Sequence, residues 1–524
     1  MSNSKSSETR APRVVAAALA GLWCSGKGAQ KALTFVAPAT APATSPVAWQ
    51  TKATSSSTGA PQESGARGSI GAVAGAGTVL LALSVSKKVS RSGKTARQAG
   101  PPVGERRVVV TGMGIASCLG NTLEDVTTSL KEAKSGITFC EEFEKYGIRS
   151  QIRGKPDLTE ADFKKLIPRK PMRFMGMNAK YAYVALENAI KHAGLKPEDY
   201  EDNARCASIL GQGGTSIEDV TESVAAVENG YGGKWPRKVG PYRVTRTMGS
   251  TVSAVLSSAF KLQGPSFSIS SACSTGAHCI GVGTEQILLN KADMAMVGAG
   301  EDVCWQFTAM FDCMGALSTK RNENPEKASR AFDKDRDGFV IAGGGGMLVL
   351  EELEHAKARG AKIYGEVTGY AANADGYDVV APSGVGGERC MKLALAMANE
   401  SLQGEKPIDY INTHGTSTPV GDVQELGAVK RVFEDADVKP FVGSTKSLSG
   451  HALGAAGVHE AIYSLLMLNN DFLAESANIE DLVDEAEGMK ILTERHEGGV
   501  ARVMSNSFGF GGTNACLVMD KYEE

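Results

Sequence analysis

Residues 266–289 have the pattern of a strand, then a turn of small residues, then a helix. Phe267 and Ile269 alternate with small polar residues, as in a half-buried strand, and a helical stretch follows the turn. The same order returns twice, in residues 409–422 and 441–457. A chain that alternates strands and helices in this way is predicted to form a layered α/β structure.

Cys273 lies in the turn of the first unit, directly before the helix. The free N–H groups and the positive dipole end of a helix favour a thiolate over a thiol, which predicts a nucleophilic sulfur. Small neighbouring residues let a substrate approach the backbone, and the N–H of Cys273 is a candidate donor to an oxyanion. The alternative is a buried structural cysteine, which is the ordinary interpretation of most of the ten cysteines.

Each of the two later units carries a histidine after its strand. His414 lies at the carboxyl end of the first strand, where α/β folds place their ligands, and Glu425 in the next helix is positioned to face back toward it. His451 begins the helix of the second unit, five residues after Lys446. Cys273 and the two histidines, with the neighbouring lysine and glutamate, are therefore predicted to form one site.

A metal site is the alternative interpretation of the histidine pair. The two histidines are 37 residues apart, and no third ligand occurs at a useful spacing. The cysteines are scattered without CxxC pairs, so neither a disulfide framework nor a zinc site is predicted. A reducing compartment fits this cysteine usage best.

Two further motifs resemble ligand-binding loops but depart from them. The strand at 107–110 leads into what we interpret as a glycine turn over 112–114, but Ser117 occupies the third glycine position of a dinucleotide loop. Residues 333–338 begin like a calcium loop, yet the twelfth position is Gly344, where a bidentate Glu is required. Neither nucleotide nor calcium binding is predicted.

Charge is distributed unevenly along the 524 residues and marks off a first segment. Residues 1–104 hold twelve of the 56 Lys and Arg residues but only two of the 59 Asp and Glu residues, so the remaining body has a formal net charge of −13. That charge argues against general nucleic-acid binding. The first segment is rich in Ala, Ser, Thr, Gly and Pro, which together with few acids is typical of an organelle transit peptide. We expect a targeting presequence that is mostly disordered.

Two apolar runs lie within this presequence. Residues 14–23 follow three basic residues and resemble a signal-peptide core, and such a start before a basic Ser/Thr/Ala tract resembles the bipartite leaders of algae with complex plastids. Residues 70–85 are fewer than the ~20 that a membrane-spanning helix needs. We therefore expect the mature protein in the plastid (chloroplast) stroma, with no stable membrane association.

Four motifs resemble those of the β-ketoacyl-[acyl carrier protein] synthases, most closely the bacterial type I enzyme. They keep the family's order and spacing, and the resemblance covers essentially all of residues 106–520. The motifs are SACSTG at 271–276, HGTSTP at 414–419, KSLSGHALGAAG at 446–457 and NSFGFGGTN at 506–514. The resemblance implies a thiolase-like fold with two similar halves in alternating helix and sheet layers, and it implies a homodimer. The halves are residues 105–358, with the nucleophile, and residues 359–524, with the two histidines.

The resemblance also implies a role for each residue of the predicted site. Cys273 would carry the growing acyl chain as a thioester, and His414 and His451 would hold the thioester carbonyl of malonyl carrier protein during decarboxylation. Lys446 would support acyl transfer and, with Glu425, would fix the polar network around His414.

Substrate-binding and docking residues follow from the same resemblance. Phe510 matches the family's gating phenylalanine, and its N–H would complete an oxyanion hole. Thr416 and Thr418 match positions that bind the phosphopantetheine arm, Gly214 matches a position that lines the acyl pocket, and Phe508 is a further substrate-binding candidate. The carrier protein is acidic, so its docking surface is expected to be basic. The candidate docking residues are Arg169, Lys170, Arg173, Lys234, Arg237 and Lys238.

The implied reaction is the decarboxylative condensation of acyl-[acyl carrier protein] with malonyl-[acyl carrier protein] to 3-oxoacyl-[acyl carrier protein] in fatty acid elongation. The carrier brings its own phosphopantetheine, so no cofactor and no metal are expected. A type II synthase, a polyketide ketosynthase and a non-catalytic heterodimer partner are the alternatives, although such a partner would generally lack the cysteine. A thiolase is disfavoured because neither histidine loop contains a second cysteine. Gln212 and Thr215 depart from the type I pattern and leave the chain-length preference open.

Overall fold

Fifteen strands lie in residues 105–229 and 239–523, which are the residues that the computed structural model describes. The presequence and the predicted docking residues Lys234, Arg237 and Lys238 lie outside them. The strands are β1 (Val108–Ala116), β2 (Ile137–Phe139), β3 (Ile152–Gly154), β4 (Cys206–Gly211), β5 (Ser266–Phe267), β6 (Met294–Glu301), β7 (Gly344–Glu352), β8 (Gly365–Ala374), β9 (Tyr410–Asn412), β10 (Phe441–Gly443), β11 (Phe472–Leu473), β12 (Lys490–Ile491), β13 (His496–Glu497), β14 (Arg502–Gly509) and β15 (Thr513–Asp520).

The described residues also form sixteen α-helices, several of them only one turn long. A 3-10 turn at Leu453–Ala455 precedes the last helix. The helices are α1 (Leu123–Lys131), α2 (Glu141–Lys145), α3 (Glu160–Leu166), α4 (Arg169–Met172), α5 (Met177–His192), α6 (Pro197–Tyr200), α7 (Ile217–Glu228), α8 (Arg243–Thr247), α9 (Thr251–Ala259), α10 (Thr275–Leu288), α11 (Trp305–Cys313), α12 (Leu353–Ala358), α13 (Val385–Ser401), α14 (Gly421–Val432), α15 (Lys446–Ser449) and α16 (Ala456–Asn470).

Eleven strands form one mixed sheet in which the same arrangement occurs twice. The sheet order is β12-β10-β9-β14-β15-β8-β1-β7-β6-β4-β5. Read from the outer strands inward, β5-β4-β6-β7-β1 and β10-β9-β14-β15-β8 have the same chain order and the same sequence of two parallel and two antiparallel pairings. The two sets join where β1 pairs antiparallel with β8. This repeat is the thiolase-like arrangement of two similar halves that was predicted.

Helices α10 and α16 form the central layer of the fold. They pack against each other and against both strand sets within one hydrophobic cluster. Helices α5 and α9 cover the outer face of the first set, and α13 and α14 cover that of the second. Strand β6 is buried along its whole length because helices cover both of its faces. Helix and sheet layers therefore alternate, as predicted.

The predicted glycine turn after the first strand is wrong, because β1 continues through it to Ala116. A Cβ on Gly112 would lie 2.5 Å from a backbone oxygen of α5, and one on Gly114 would lie 2.0 Å from another. These glycines let a strand and a helix touch, and they do not turn the chain. Likewise Gly344 to Gly346 lie within β7.

Membrane-spanning helices were sought in residues 105–229 and 239–523. None of the helices there has both the length and the apolar composition that crossing a bilayer requires. The apolar run at 70–85 lies outside the described residues.

Candidate active site

The first turns of α10 and α16 cross at two glycines. A Cβ on Gly276 would lie 2.6 Å from a backbone nitrogen of α16, and one on Gly457 would lie 2.7 Å from a backbone nitrogen of α10. Neither position has room for a side chain, so the two helix backbones are in direct contact. This contact brings Cys273 and His451, which lead into the two helices, to one place.

Cys273, His414 and His451 meet at this point. One atom from each, the cysteine Sγ and one ring nitrogen of each histidine, all lie within 4.8 Å of one another. The two imidazole rings are 5.2 Å apart and nearly perpendicular. All three residues line one cavity of about 380 Å³. Three side chains from three separate turns of the chain are therefore available to the same bound molecule.

The Cys273 sulfur does not have the lowered pKa that its place before a helix predicted. Burial raises the pKa of the thiol to about 11, although the charge of Lys446 and the N–H groups of Phe510 and of Cys273 itself lower it. The helix dipole is worth about 1 kcal/mol, which is less than the cost of burying a charge. The expectation of a resting thiolate is therefore wrong, because a pKa of about 11 leaves the sulfur as a thiol at neutral pH.

Glu425 fixes the loop that carries His414. Its two carboxylate oxygens accept the backbone N–H groups of His414 and Gly415, each at 2.8 Å, and the side chain of Asn506 donates to the same carboxylate at 3.1 Å. Burial raises the pKa of Glu425 to about 7, against these donors and the charge of Lys446. The prediction that Glu425 faces back toward the histidine loop is confirmed.

The His451 backbone is held between two residues that precede β7. Its N–H donates to the oxygen of Val340 at 2.8 Å, and its own oxygen accepts from Ala342 at 2.9 Å. His451 does not begin a helix as predicted, because the one-turn α15 comes before it and a 3-10 turn separates it from α16. Burial and the charge of Lys446 hold the pKa of His451 well below its usual value, and the same causes act on His414. Both imidazoles are neutral.

Lys446 forms a buried ion pair with Glu460, a residue that the sequence analysis did not include in the site. Both side chains are 2% exposed. Burial raises the pKa of Glu460, and the neighbouring lysine opposes that rise. A carboxylate within the mostly apolar stretch 456–468 was the available signal, because a buried charge requires a partner.

The rest of the cavity wall contains the predicted substrate-binding residues. Thr416, Thr418, Phe508 and Phe510 line it, and the two threonine hydroxyls are 3.1 Å apart. The Phe508 ring lies 6.1 Å from the His414 ring. Polar groups thus occur on one part of the wall, and aromatic rings border the histidines and the cysteine.

Four predicted residues lie away from this cavity. Gly214 is not part of its wall, and a Cβ there would lie 3.0 Å from the Phe307 ring. Arg169, Lys170 and Arg173 are exposed, in and directly after α4. Their roles in acyl binding and docking stay predictions.

The same donor set is one that zinc accepts, since it has one thiol and two imidazoles. The spacing argument against a third ligand is wrong, because Cys273 reaches the histidines from the other half of the fold. The Lys446 charge acts on all three groups, and it opposes a second cation at this point.

Known proteins with similar sequences and structures supply the context for this geometry. A family model described as Beta-ketoacyl synthase, N-terminal domain, matches residues 105–356, and one described as Beta-ketoacyl synthase, C-terminal domain, matches residues 364–480. The 3-oxoacyl-[acyl-carrier-protein] synthase 1 of Escherichia coli (strain K12) is 53% identical over 80% of this chain and 100% of its own length. The protein of the same name from Haemophilus influenzae is 54% identical over 80% of this chain and 99% of its own length.

A solved structure supports the same relationship. The crystal structure of a beta-ketoacyl synthase from Burkholderia phymatum STM815 matches with a TM-score of 0.73 and 31% identity, over 80% of this chain and all of that chain. The sequence matches and the fold thus agree with the motifs around the cavity. This chain belongs to the beta-ketoacyl synthase family and, within it, to the synthase I type.

Proposed function

We propose that this chain catalyses the decarboxylative condensation of acyl-[acyl carrier protein] with malonyl-[acyl carrier protein] to 3-oxoacyl-[acyl carrier protein]. The convergence of Cys273, His414 and His451 in one cavity is the observation that carries the proposal. The relatives at 53% and 54% identity are named for this activity and support it. Fatty acid elongation is the process that such a reaction serves.

The first step transfers the acyl chain to the enzyme. The Cys273 sulfur attacks the thioester carbonyl of the acyl carrier, the carrier sulfur leaves, and the thiol proton passes to that leaving sulfur. The N–H groups of Cys273 and Phe510, which already point at the sulfur, stabilise the negative oxygen that forms. Lys446 favours the transient thiolate because its charge lowers the pKa of Cys273.

The second step joins two carbons. Malonyl carrier protein places its thioester carbonyl between His414 and His451, and the bond to its carboxylate breaks to release carbon dioxide. Each neutral imidazole donates one N–H to the resulting enolate oxygen. The enolate carbon attacks the acyl thioester on Cys273, the carbon–sulfur bond breaks, and the released thiolate takes up a proton from solvent water. No cofactor enters either step, since the phosphopantetheine belongs to the carrier.

The carrier protein binds at two places in this proposal. Its phosphopantetheine arm passes Thr416 and Thr418, whose hydroxyls line the cavity. Its acidic surface docks on the exposed basic residues Arg169, Lys170 and Arg173. The second predicted cluster, at 234–238, acts in the same way.

A homodimer is part of the proposal, and the sheet edge supports it. Strand β5 ends the sheet and, among the described residues, pairs only with β4. Phe267 on this strand is 43% exposed, so a second copy of β5 would continue the sheet and cover an apolar ring. Sedimentation is expected to give a dimer, and Phe267→Asp is expected to shift it toward the monomer.

Residues 1–104 are proposed to direct the chain to the plastid stroma and to be removed there. Their basic, acid-poor composition supports this assignment. A fusion of residues 1–104 to a fluorescent protein is expected to enter the plastid, whereas a fusion of residues 105–524 is expected to stay outside. If both fusions were found in the plastid to the same extent, the proposed targeting role of residues 1–104 would be wrong.

The test of the reaction uses the purified chain with malonyl carrier protein and acyl carrier proteins of graded length. Condensation that Cys273→Ala abolishes, with a profile over chain length, would support the proposal and show the preferred substrate. A folded protein that decarboxylates malonyl carrier protein without condensing would instead indicate a non-catalytic partner. Metal content is measured on the same sample, because zinc bound in equal amount to active protein would contradict the metal-free mechanism.

A further inference from the structure

Ser274 makes an unusual contact directly after the nucleophile. The side chain is fully buried, and its Oγ lies 2.8 Å from the backbone oxygen of Thr513 and 3.0 Å from that of Ser507. A hydroxyl has one proton, so both oxygens share it in a three-centre hydrogen bond. The helix that follows does not use this hydroxyl, since Ser274 makes no side-chain cap to it.

The two accepting oxygens belong to the two strands of one hairpin. Ser507 lies on β14 and Thr513 on β15, and Thr513 pairs with Gly509 at the last step before the tip. The tip, residues 510–512, begins with Phe510, whose N–H points at the Cys273 sulfur. The Ser274 hydroxyl therefore bonds both strands of this hairpin next to its tip, and the tip supplies the second oxyanion donor.

His278 makes a second connection between the same segments. Its Nδ1 lies 2.6 Å from the Oγ of Ser271, and its ring donates to the backbone oxygen of Asn514 on β15. Ala272, between Ser271 and the nucleophile, has a φ of 49°, which is a strained conformation for a residue with a side chain. A strained turn needs hydrogen bonds that hold it in place. The side chains of Ser274 and His278 provide them.

We propose that Ser274 is a positioning residue, which sets the distance between the Cys273 and Phe510 N–H groups and thereby stabilises the oxyanion during acyl transfer and condensation. The inference rests on the proposed function and adds a residue to it. Ser274 is not part of the cavity wall, and its hydroxyl bonds the hairpin, so its effect passes through the hairpin. Its hydrogen bonds do not include His414 or His451.

If Ser274 acts on the oxyanion donors and not on the histidines, loss of its hydroxyl should affect the two half-reactions differently. The half-reactions are acyl transfer and decarboxylation. Acyl transfer to Cys273 depends on the oxyanion donors, whereas decarboxylation of malonyl carrier protein depends on the two histidines. A residue that merely stabilised the fold would affect both half-reactions together. A residue that positions Phe510 affects the first and leaves the second unchanged.

The experiment compares Ser274→Ala with Thr284→Val in the full-length chain. Thr284 is a matched control because it is equally buried on α10, and its hydroxyl bonds only Ile280 of the same helix. For Ser274→Ala we expect acyl transfer to fall about tenfold or more, since removing an oxyanion donor outright costs about 10²–10³-fold. We expect the decarboxylation rate and the KM for malonyl carrier protein to stay at the wild-type values, and Thr284→Val to match the wild type throughout.

Hydrogen exchange gives a readout that does not depend on turnover. In Ser274→Ala, amides of residues 508–512 are expected to exchange faster while those within α10 stay unchanged. Wild-type acyl transfer and exchange in Ser274→Ala would overturn the inference, and so would an equal fall of both half-reactions. If the wild-type chain itself does not condense, the proposed function fails and the exchange result still tests whether the hydroxyl holds the hairpin.

Discussion

The two halves of the molecule have the same strand order but place different chemistry at equivalent points. In the first half, β5 leads to Cys273 and the helix α10 begins two residues later. In the second half, β10 leads to Lys446 and His451, and a short helix and a 3-10 turn intervene before α16. The repeated scaffold therefore fixes the place at which each half presents its side chains to the cavity. In the proposed mechanism, the residues that follow β5 supply a nucleophile, whereas those that follow β10 supply a hydrogen-bond donor.

The largest expected effects come from removing the reactive side chain of one half at a time. These variants should separate acyl transfer from malonyl decarboxylation. Cys273→Ala is expected to lower condensation by at least about a thousandfold and to leave malonyl decarboxylation intact. His451→Ala is expected to abolish decarboxylation while acyl carrier protein still acylates Cys273. Carbon dioxide release and mass spectrometry of the acylated protein measure the two activities. If either variant lost both activities while remaining folded, the division between the halves would be wrong.

After β10 the second half carries the buried ion pair of Lys446 and Glu460, whereas after β5 the first half carries the buried thiol of Cys273. Glu460→Gln leaves the Lys446 charge buried without its partner, so we expect the free energy of unfolding to fall by about 3 kcal/mol. Glu388→Gln is the control, because its pairs with Lys392 and Arg431 involve exposed lysine and arginine side chains and should cost less than about 1 kcal/mol. Urea unfolding compares them. Equal losses would show that burial of the pair has no special importance.

The helix crossing is where the two halves depend on each other sterically. Gly457→Ala places a Cβ 2.7 Å from a backbone nitrogen, and we expect it to destabilise the fold by about 1–3 kcal/mol. Gly427→Ala in α14 is the matched helix control, since its Cβ would meet only the flexible end of Arg431 at 3.3 Å. The control is expected to be neutral or stabilising by up to about 1 kcal/mol. A stable Gly457→Ala protein would mean that the helices can separate without cost.

The smallest expected effect is on the pH dependence of the free energy of unfolding, to which His451 of the second half contributes. The pKa of His451 is well below 6.5 in the folded state, so below pH 6.5 the unfolded chain binds a proton that the folded chain excludes, and stability falls with falling pH. His451→Asn is expected to reduce this slope near pH 5.5 by about 1 kcal/mol per pH unit. Unfolding free energies at several pH values measure it. An unchanged slope would mean that the folded protein protonates His451 freely.

The carboxylates of the same half act in the opposite direction. The pKa of Glu425 is raised to about 7, so between about pH 4.5 and 7 the folded chain binds the extra proton and stability falls as pH rises. Glu425→Gln removes this contribution and should leave the histidine slope in place. The two variants therefore control for each other, because the contributions that they remove from the pH dependence of stability have opposite signs.

Local sequence pattern was sufficient to predict the position of the triad. Strand ends in an α/β fold meet at one edge, so a cysteine and two histidines after three strands were expected to lie together, and they do. Pattern could not show that Gly112 and Gly114 continue a strand, because the reason lies in helix α5, which is distant in sequence. It also predicted the wrong direction for the Cys273 pKa, since burial is a property of the folded structure and not of the turn.

Residues whose partners are far away in sequence were missed for the same reason. Glu460 acts through Lys446, and Ser274 acts through two carbonyl groups more than 200 positions later. A small residue beside the nucleophile carries no sign that its hydroxyl has a partner elsewhere. Charge in an apolar helix was a usable signal for Glu460, whereas no comparable signal existed for Ser274.

The glycine contact between α10 and α16 also has an electrostatic consequence. Because the two helices touch near their first turns, both amino-terminal ends lie next to the same cavity, and each carries about half an elementary positive charge. These charges come from backbone dipoles, so no change of pH removes them. The cavity is thus biased toward anions at every pH, and an oxyanion or an enolate would enter a field that was established when the chain folded.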